Sequence, residues 1–406
     1  MDSYIERLLQ EPVPREWAFP ESEYRERLAK VRRSMDEAGV DVLLLHAIVD
    51  MCYLSGYQTL WPDAYACLIV PREGEPFMQV GRIEAGLAVL HGWVKDMEMV
   101  SWQDFGSDAA PSQLAEILER RGLAKKRIGV QKGRIEFGNR GPLDAAAYER
   151  LKELLPKATF VDCTYLMFDI RVVKTPAELE QMRRAAKISS IGVKAAQEAT
   201  VVGKTDNDVA GVGASVMIDE GSDPFSLDPI VSTGHRSGWF HTSFKRFRLK
   251  TGDHVLLEFG GCYQRYTAPL MRTVVLGEPT AQAKRIIDAN LKTLNLLYEN
   301  VKPGRTAHEV AMAAAKGLDP IVKEVFRSGH FGYSIGLGFP PTWTDGPMYI
   351  SEGNDRVLEP GMTFHTPLSL RVTAEFVIGT SESIAVTDTG CEILTQLERE
   401  VLVKPA

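Results

Sequence analysis

Two acid–base side chains have conspicuous surroundings. His241 lies near the end of the run STGHRSGWFHTS, directly after Trp239 and Phe240. An imidazole titrating near neutrality takes a proton from water and returns it to a leaving group. A lone histidine beside two aromatics is also a common packed residue, hydrogen-bonded and inert. Glu258 sits inside the apolar run VLLEF. A carboxylate among apolar neighbours is costly unless it is paired or protonated. One reading pairs it with Arg272. The other turns it toward a pocket, where the charge of a cationic ligand offsets its burial.

Other chemistries lack their motifs. The five cysteines (Cys52, Cys67, Cys163, Cys262, Cys391) form no CxxC pair, so neither a zinc nor a disulfide framework is expected, and a reducing cytoplasm is the simpler setting. The glycine-rich GVGAS (211–215) falls in a helical pattern rather than after a strand, so it is no phosphate loop. There is no Walker sequence. Lys and Arg number 47 against 54 Asp and Glu, interspersed along 406 residues to a net charge of −7. No basic stripe marks a nucleic-acid face. The first ten residues, MDSYIERLLQ, carry charge and no apolar core of a signal peptide. Apolar stretches such as that around Val40 to Leu45 are too short to span a bilayer. A cytoplasmic protein without membrane or nucleic-acid partners is expected.

The elements that must position these residues read in two blocks. Residues 1–18, with Pro12 and Pro14, look like a polar arm. Tyr24, Leu28, Val31 and Met35 then share one helical face, and Gly39 follows as a C′ glycine. VDVLLL (40–45) reads as a buried strand and YACLIVPREGEPFMQVG (65–81) as a hairpin turning at Pro71–Gly74. The helical patterns SQLAEILERRGL and LDAAAYERLKELL precede the strands RIGV and ATFVDC. This alternation predicts an α/β domain over 19–168. A second domain over 169–406 opens on a helix with Thr175 at N-cap, Pro176 at N1 and Glu178 at N3. Helices over 205–220, 280–301 and RTAHEVAMAAAKGL alternate there with the strands IVSTG, HVLLEFGG, PLMRTVVLG, MTFHTPL, ESIAVT and GCEILT. An α+β domain is expected, with helices covering one face of a curved sheet.

RVVKTPAELEQMRRAAKI, GDHVLLEFGGCYQRYTAPLMRTVVLG, LEPGMTFHTP and TSESIAVTDTGCEILT resemble, in order, segments of the creatinase, prolidase and methionine aminopeptidase family. The resemblance implies an α/β N-terminal domain plus an α+β pita-bread C-terminal catalytic domain. The family's metallopeptidases hold two metals with two Asp, one His and two Glu. Aligned on Arg272–Thr273, those positions here carry Glu258, Pro269, Tyr333, Pro367 and Ser381, with Glu382 one place along. Proline offers no side-chain donor, and Ser and Tyr are poor ligands at neutral pH. A metal-free enzyme without a cofactor is therefore expected. LLEFGGCYQRYTAPLMRTV, GYSIGLGFPPTW and GMTFH are similar to ectoine hydrolases, relatives that open a cyclic amidine ring without those ligands. The chain departs from them at Thr342 to Asp345, where they tend to read DWGE, and at TPLSLR (366–371).

The same resemblance supplies roles. His241 stands seven residues after Gly234, the spacing of the family's histidine over the reaction centre. Glu258 would pair with an amidinium, orient water or attack as a nucleophile. His365 shares a strand face with Pro367, so it should look inward and donate to a substrate carboxylate or carbonyl, unless it is a core histidine. Glu382 reaches the catalytic set only if a bulge turns it inward. Tyr333, Trp343 and Tyr266 are candidates for an aromatic wall around a planar cation, and Arg371 for a carboxylate clamp. DMCYLSGYQTLWPDAY resembles the segment that a neighbouring subunit presents at the site. Tyr57, Trp61, Asp63 and Tyr65 are its candidates, and a homodimer is implied.

Three readings follow. The first is a C–N hydrolase of a small cationic metabolite, an ectoine-type cyclic amidine before a creatine-like guanidino acid. The second is a binding protein that has lost catalysis. The third, a metal-dependent prolidase, is disfavoured by Pro269 and Pro367.

Overall fold

The computed structural model describes residues 3–11, 14–62, 64–100, 109–133 and 143–405, and the counts below refer to these. The chain forms two compact units that divide between Arg171 and Val172.

Unit 1 runs α1 (Ser3–Gln10), α2 (Glu21–Glu37), β1 (Val42–Leu45), α3 (Ile48–Ser55), β2 (Ala66–Pro71), β3 (Phe77–Gly81), α4 (Ala85–His91), β4 (Met97–Val100), α5 (Ala109–Arg120), β5 (Arg127–Val130), α6 (Ala145–Leu154), β6 (Thr159–Asp162) and α7 (Leu166–Arg171). Its six strands order as β4-β3-β2-β1-β5-β6. The β1–β2 and β2–β3 pairs are antiparallel, and the other three are parallel. Tyr24, Leu28, Val31 and Met35 are buried on α2 as their spacing predicts. Gly39 has φ +62, a left-handed C′ conformation that an L side chain resists. The polar arm needs correction. Residues 3–10 form a helix whose Ile5 is fully buried, and Arg15 donates to the carbonyl of Leu9 at 3.1 Å. Ile5, Leu8 and Leu9, spaced i, i+3 and i+4, were the available signal.

Unit 2 runs α8 (Pro176–Ala199), α9 (Asp206–Asp219), β7 (Ile230–Thr233), β8 (His254–Tyr263), β9 (Tyr266–Leu276), α10 (Ala281–Asn300), α11 (Ala307–Ala315), β10 (His330–Phe339), β11 (Thr342–Ser351), β12 (Thr363–His365), β13 (Leu368–Val372), β14 (Phe376–Thr380), β15 (Ser383–Val386), β16 (Cys391–Ile393) and β17 (Leu402–Lys404). The main sheet orders as β16-β15-β12-β10-β9-β8-β7, with β11 on β10 and β17 parallel to β9. The single strand expected over MTFHTPL splits at Pro367 into β12 and β13, and β13 leaves the sheet to form a hairpin with β14. Proline cannot donate to a ladder, so the break falls there.

The α8 start is the capping box that its sequence predicts. Thr175 Oγ accepts from Glu178 N, and Glu178 Oε accepts from Thr175 N at 2.9 Å. Thr175→Ala is expected to lower the stability of this unit by about 1 kcal/mol, read as a fall in the denaturant midpoint at unchanged slope.

α8 lies close on the sheet. A Cβ at Gly261 would meet the Ala185 carbonyl oxygen at 2.8 Å and Ser189 N at 2.9 Å. Ser189 Oγ exploits that approach, accepting from Gly261 N at 2.7 Å and donating to Ala268 O at 2.6 Å. Strand alternation then assigns two faces to β8. Val255, Leu257 and Phe259 join the core that also holds Val193, Val209 and Met217 of the helices. Glu258 therefore faces the opposite side. No described helix is long and apolar enough to cross a membrane.

Candidate active site

β8 and β9 pair in continuous register, with Glu258 opposite Met271 and Gly260 opposite Pro269. Pro269 thus shares the face of Glu258. Glu258 is only partly buried, and it accepts no hydrogen bond and forms no ion pair with any described residue. Burial raises its carboxyl from 4.5 to about 7, against the opposing field of Arg371. The pairing with Arg272 that the sequence left open does not form. Arg272 instead holds Glu382.

Tyr333 stands on β10, half-buried, with its hydroxyl raised by burial and by the charge of Glu258. Trp343 Nε1 donates to Tyr333 Oη at 2.7 Å, and His365 Nδ1 lies 2.8 Å from the same oxygen. The other imidazole nitrogen, His365 Nε2, lies 2.7 Å from Ser381 Oγ, which accepts from Met271 N at 2.7 Å. A Cβ at Gly260 would meet the Trp343 indole at 2.8 Å, so that glycine makes room for the ring.

Arg371, on β13, is 5% exposed. Its Nη1 donates to the carbonyls of Ser237 and of Trp239, the latter at 3.0 Å, and its guanidinium lies 4.0 Å from the Phe240 ring centre. Its Nε has no partner among the described residues. Burial lowers the guanidinium to about 10 while Glu258 works against the fall. Arg371 thus ties β13 to the loop carrying His241. His241 is exposed, in edge contact with Phe240 and with a backbone φ of 57°. A non-glycine residue in that region is strained, and such strain concentrates at functional sites.

Several expectations change. Glu382 does not enter the pocket. It is 2% exposed, with Arg272 Nη2 donating to Oε1 at 2.9 Å and Thr395 Oγ1 donating to Oε2. In the link between β14 and β15, Ser381 turns to His365 and its neighbour Glu382 to Arg272. Tyr266 walls no pocket, since it is buried and donates to Glu178 Oε1 at 2.9 Å. Trp343 and His365 are buried behind Tyr333, and both His365 nitrogens are engaged, so neither meets a ligand directly. Tyr57 is fully buried and donates to Glu84 at 2.9 Å. Tyr65 packs on the unit 1 core and donates to Gln79 at 2.7 Å. The burial of Tyr57 withdraws it from any neighbour, whereas Tyr65 keeps a partly exposed ring. Trp61 is 49% exposed, and Asp63 lies outside the described residues. Ser381 is the residue whose part was missed. Its place next to Glu382 was the available signal.

The donor set does not fit two metal ions. Of the five family positions, only Glu258 carries a carboxylate. Tyr333 and Ser381 are committed to His365, and no cluster of three His, Cys, Asp or Glu suited to a metal occurs among the described residues.

Two units of this kind, with a Glu on the paired central strands, define a pita-bread hydrolase of the creatinase and prolidase type. Residues 180–389 match metallopeptidase family M24 and residues 27–173 the creatinase/prolidase N-terminal domain, so the chain belongs to that family. It is 31% identical to the ectoine hydrolase of Halomonas elongata over 402 residues, covering 95% of this chain and 98% of that protein. It is 26% identical to the Xaa-Pro dipeptidase of Pyrococcus furiosus, over 93% of this chain and all of that one. Among solved structures, the prolidase of Pyrococcus horikoshii OT3 aligns with TM-score 0.78 at 24% identity, over 93% of this chain and all of that one. The family membership makes this chain a hydrolase of C–N bonds.

Proposed function

We propose that the chain is a metal-independent hydrolase of a small cationic metabolite, opening the ring of a cyclic amidine such as ectoine. The observation that carries this reading is Glu258, a partly accessible carboxyl without a partner among the described residues, at a family ligand position where no second carboxylate remains. A planar amidinium offers it a charge and in-plane N–H donors, which suits a carboxylate well. Arg371, whose Nε is buried without a partner among the described residues, adds positive charge that Glu258 feels. Water adds to the electron-poor amidine carbon as His241 takes its proton, and His241 returns that proton to the nitrogen as the C–N bond breaks. A homodimer belongs to this reading, with exposed Trp61 the residue left to reach a neighbouring site. A creatine-like guanidino acid carries a similar planar cation and is the second substrate class.

The test is turnover of a panel of cyclic amidines and guanidino acids with a metal chelator present and with Glu258→Gln as control. Chelator-insensitive turnover that the substitution abolishes is expected. Turnover blocked by the chelator would sink metal independence, and no turnover of any member would favour a binding protein.

A further inference from the structure

We propose that Ser381, His365 and Trp343 fix the Tyr333 hydroxyl as a hydrogen-bond donor aimed into the pocket, where it selects a ligand oxygen that accepts and rejects a ligand N–H.

The argument is a proton count along one chain of contacts. Ser381 is fully buried, and its Oγ already accepts from Met271 N at 2.7 Å. Among the described residues, the one acceptor beside it is His365 Nε2, at 2.7 Å. If Nε2 carried the proton, the serine would accept twice and its own O–H would be stranded in a dry interior, which natural structures avoid. Nε2 therefore accepts from serine, and the imidazole proton is on Nδ1. His365 is neutral, because burial lowers it to about 3, so there is no second ring proton to consider. Nδ1–H then donates to Tyr333 Oη across 2.8 Å, and Trp343 Nε1–H donates to the same oxygen across 2.7 Å. Both acceptor positions of the phenol are filled. Its O–H has to point elsewhere, and no described residue accepts it. Tyr333 is half-buried, so the remaining direction is the accessible one, on the side of Glu258. The opposite arrangement would strand a fully buried hydroxyl. The one inferred here leaves a hydroxyl that water or ligand can satisfy.

For the proposed reaction the consequence is specific, and this part rests on the function proposed above. An O–H oriented by Trp343 and by His365, which Ser381 fixes in turn, is preorganised for an oxygen acceptor, such as the oxygen that water brings to the amidine carbon. His365 and Ser381 are positioning residues that never touch the ligand.

The tautomer is read by long-range 1H–15N spectra of histidine-labelled protein, with the His365 signals assigned by their loss in His365→Gln. A protonated Nδ1 and an unprotonated Nε2 are expected. A protonated Nε2 overturns the inference, whether or not any substrate is found. Where the panel gives turnover, Tyr333→Phe is expected to lower kcat by about 100-fold with KM little changed. Ser381→Ala is expected to lower kcat less and to redistribute the His365 tautomer, a change that a purely structural serine would not produce. Wild-type kcat in Tyr333→Phe overturns the donor role.

Discussion

Glu258→Gln is expected to abolish turnover and, at the same time, to stabilise the folded protein above pH 7. The two effects share one cause. In the folded state burial holds the carboxyl near pH 7, whereas its ordinary value is 4.5. Below pH 4.5 the group is neutral in both folded and unfolded chains and has no effect on stability. Between 4.5 and 7 the unfolded chain loses its proton readily and the folded chain resists, so stability falls as pH rises. Above 7 the deficit is constant, at about 3 kcal/mol for a gap of this size. Glutamine carries no such deficit. The melting temperature of Glu258→Gln should exceed that of the parent by roughly 6–12 °C at pH 8 and by little at pH 4. Equal or lower stability at pH 8 would mean that Glu258 is paired. Turnover should fall about 1,000-fold or more, because a neutral amide neither pairs with an amidinium nor takes a proton. In the parent protein kcat/KM should rise with pH up to about 7 and then level as Glu258 ionises.

The second large effect concerns Arg272 and Glu382. Both are buried and joined at 2.9 Å. Arg272 also donates to the carbonyls of Met271, Ser381, Leu397 and Glu398. Removing one partner leaves an uncompensated charge in the interior, which costs about 3–5 kcal/mol. Arg272→Met should therefore melt roughly 10 °C or more below the parent. Glu382→Gln should also be destabilised, yet retain kcat within about threefold when assayed well below its own transition. A thermally unaltered Glu382→Gln with kcat reduced 100-fold would return Glu382 to the catalytic set. Glu258 and Glu382 are thus opposites, an unpaired acid expected to weaken the fold and a paired one expected to support it.

What was legible in the sequence was local or periodic. The α2 face from Tyr24 to Met35, the Thr175–Glu178 capping box and the β2–β3 hairpin all follow from spacing and turn chemistry that neighbours in the chain decide. The family motifs placed both domains. The long-range partners were not legible. Whether Arg272 takes Glu258 or Glu382 depends on where β15 lies against β9, and the two candidates are 124 positions apart in the chain. The likeness of Tyr266, Trp343 and Tyr333 as aromatics concealed three different environments, because residue type does not say what lies beyond a ring. Only the folded sheet brings Ser381, His365, Tyr333 and Trp343 into one line of hydrogen bonds. The sequence by itself determined the elements and the chemical repertoire, because backbone periodicity and side-chain type are local properties. Tertiary structure decided which acid is paired and which is free, because that depends on through-space distance and burial.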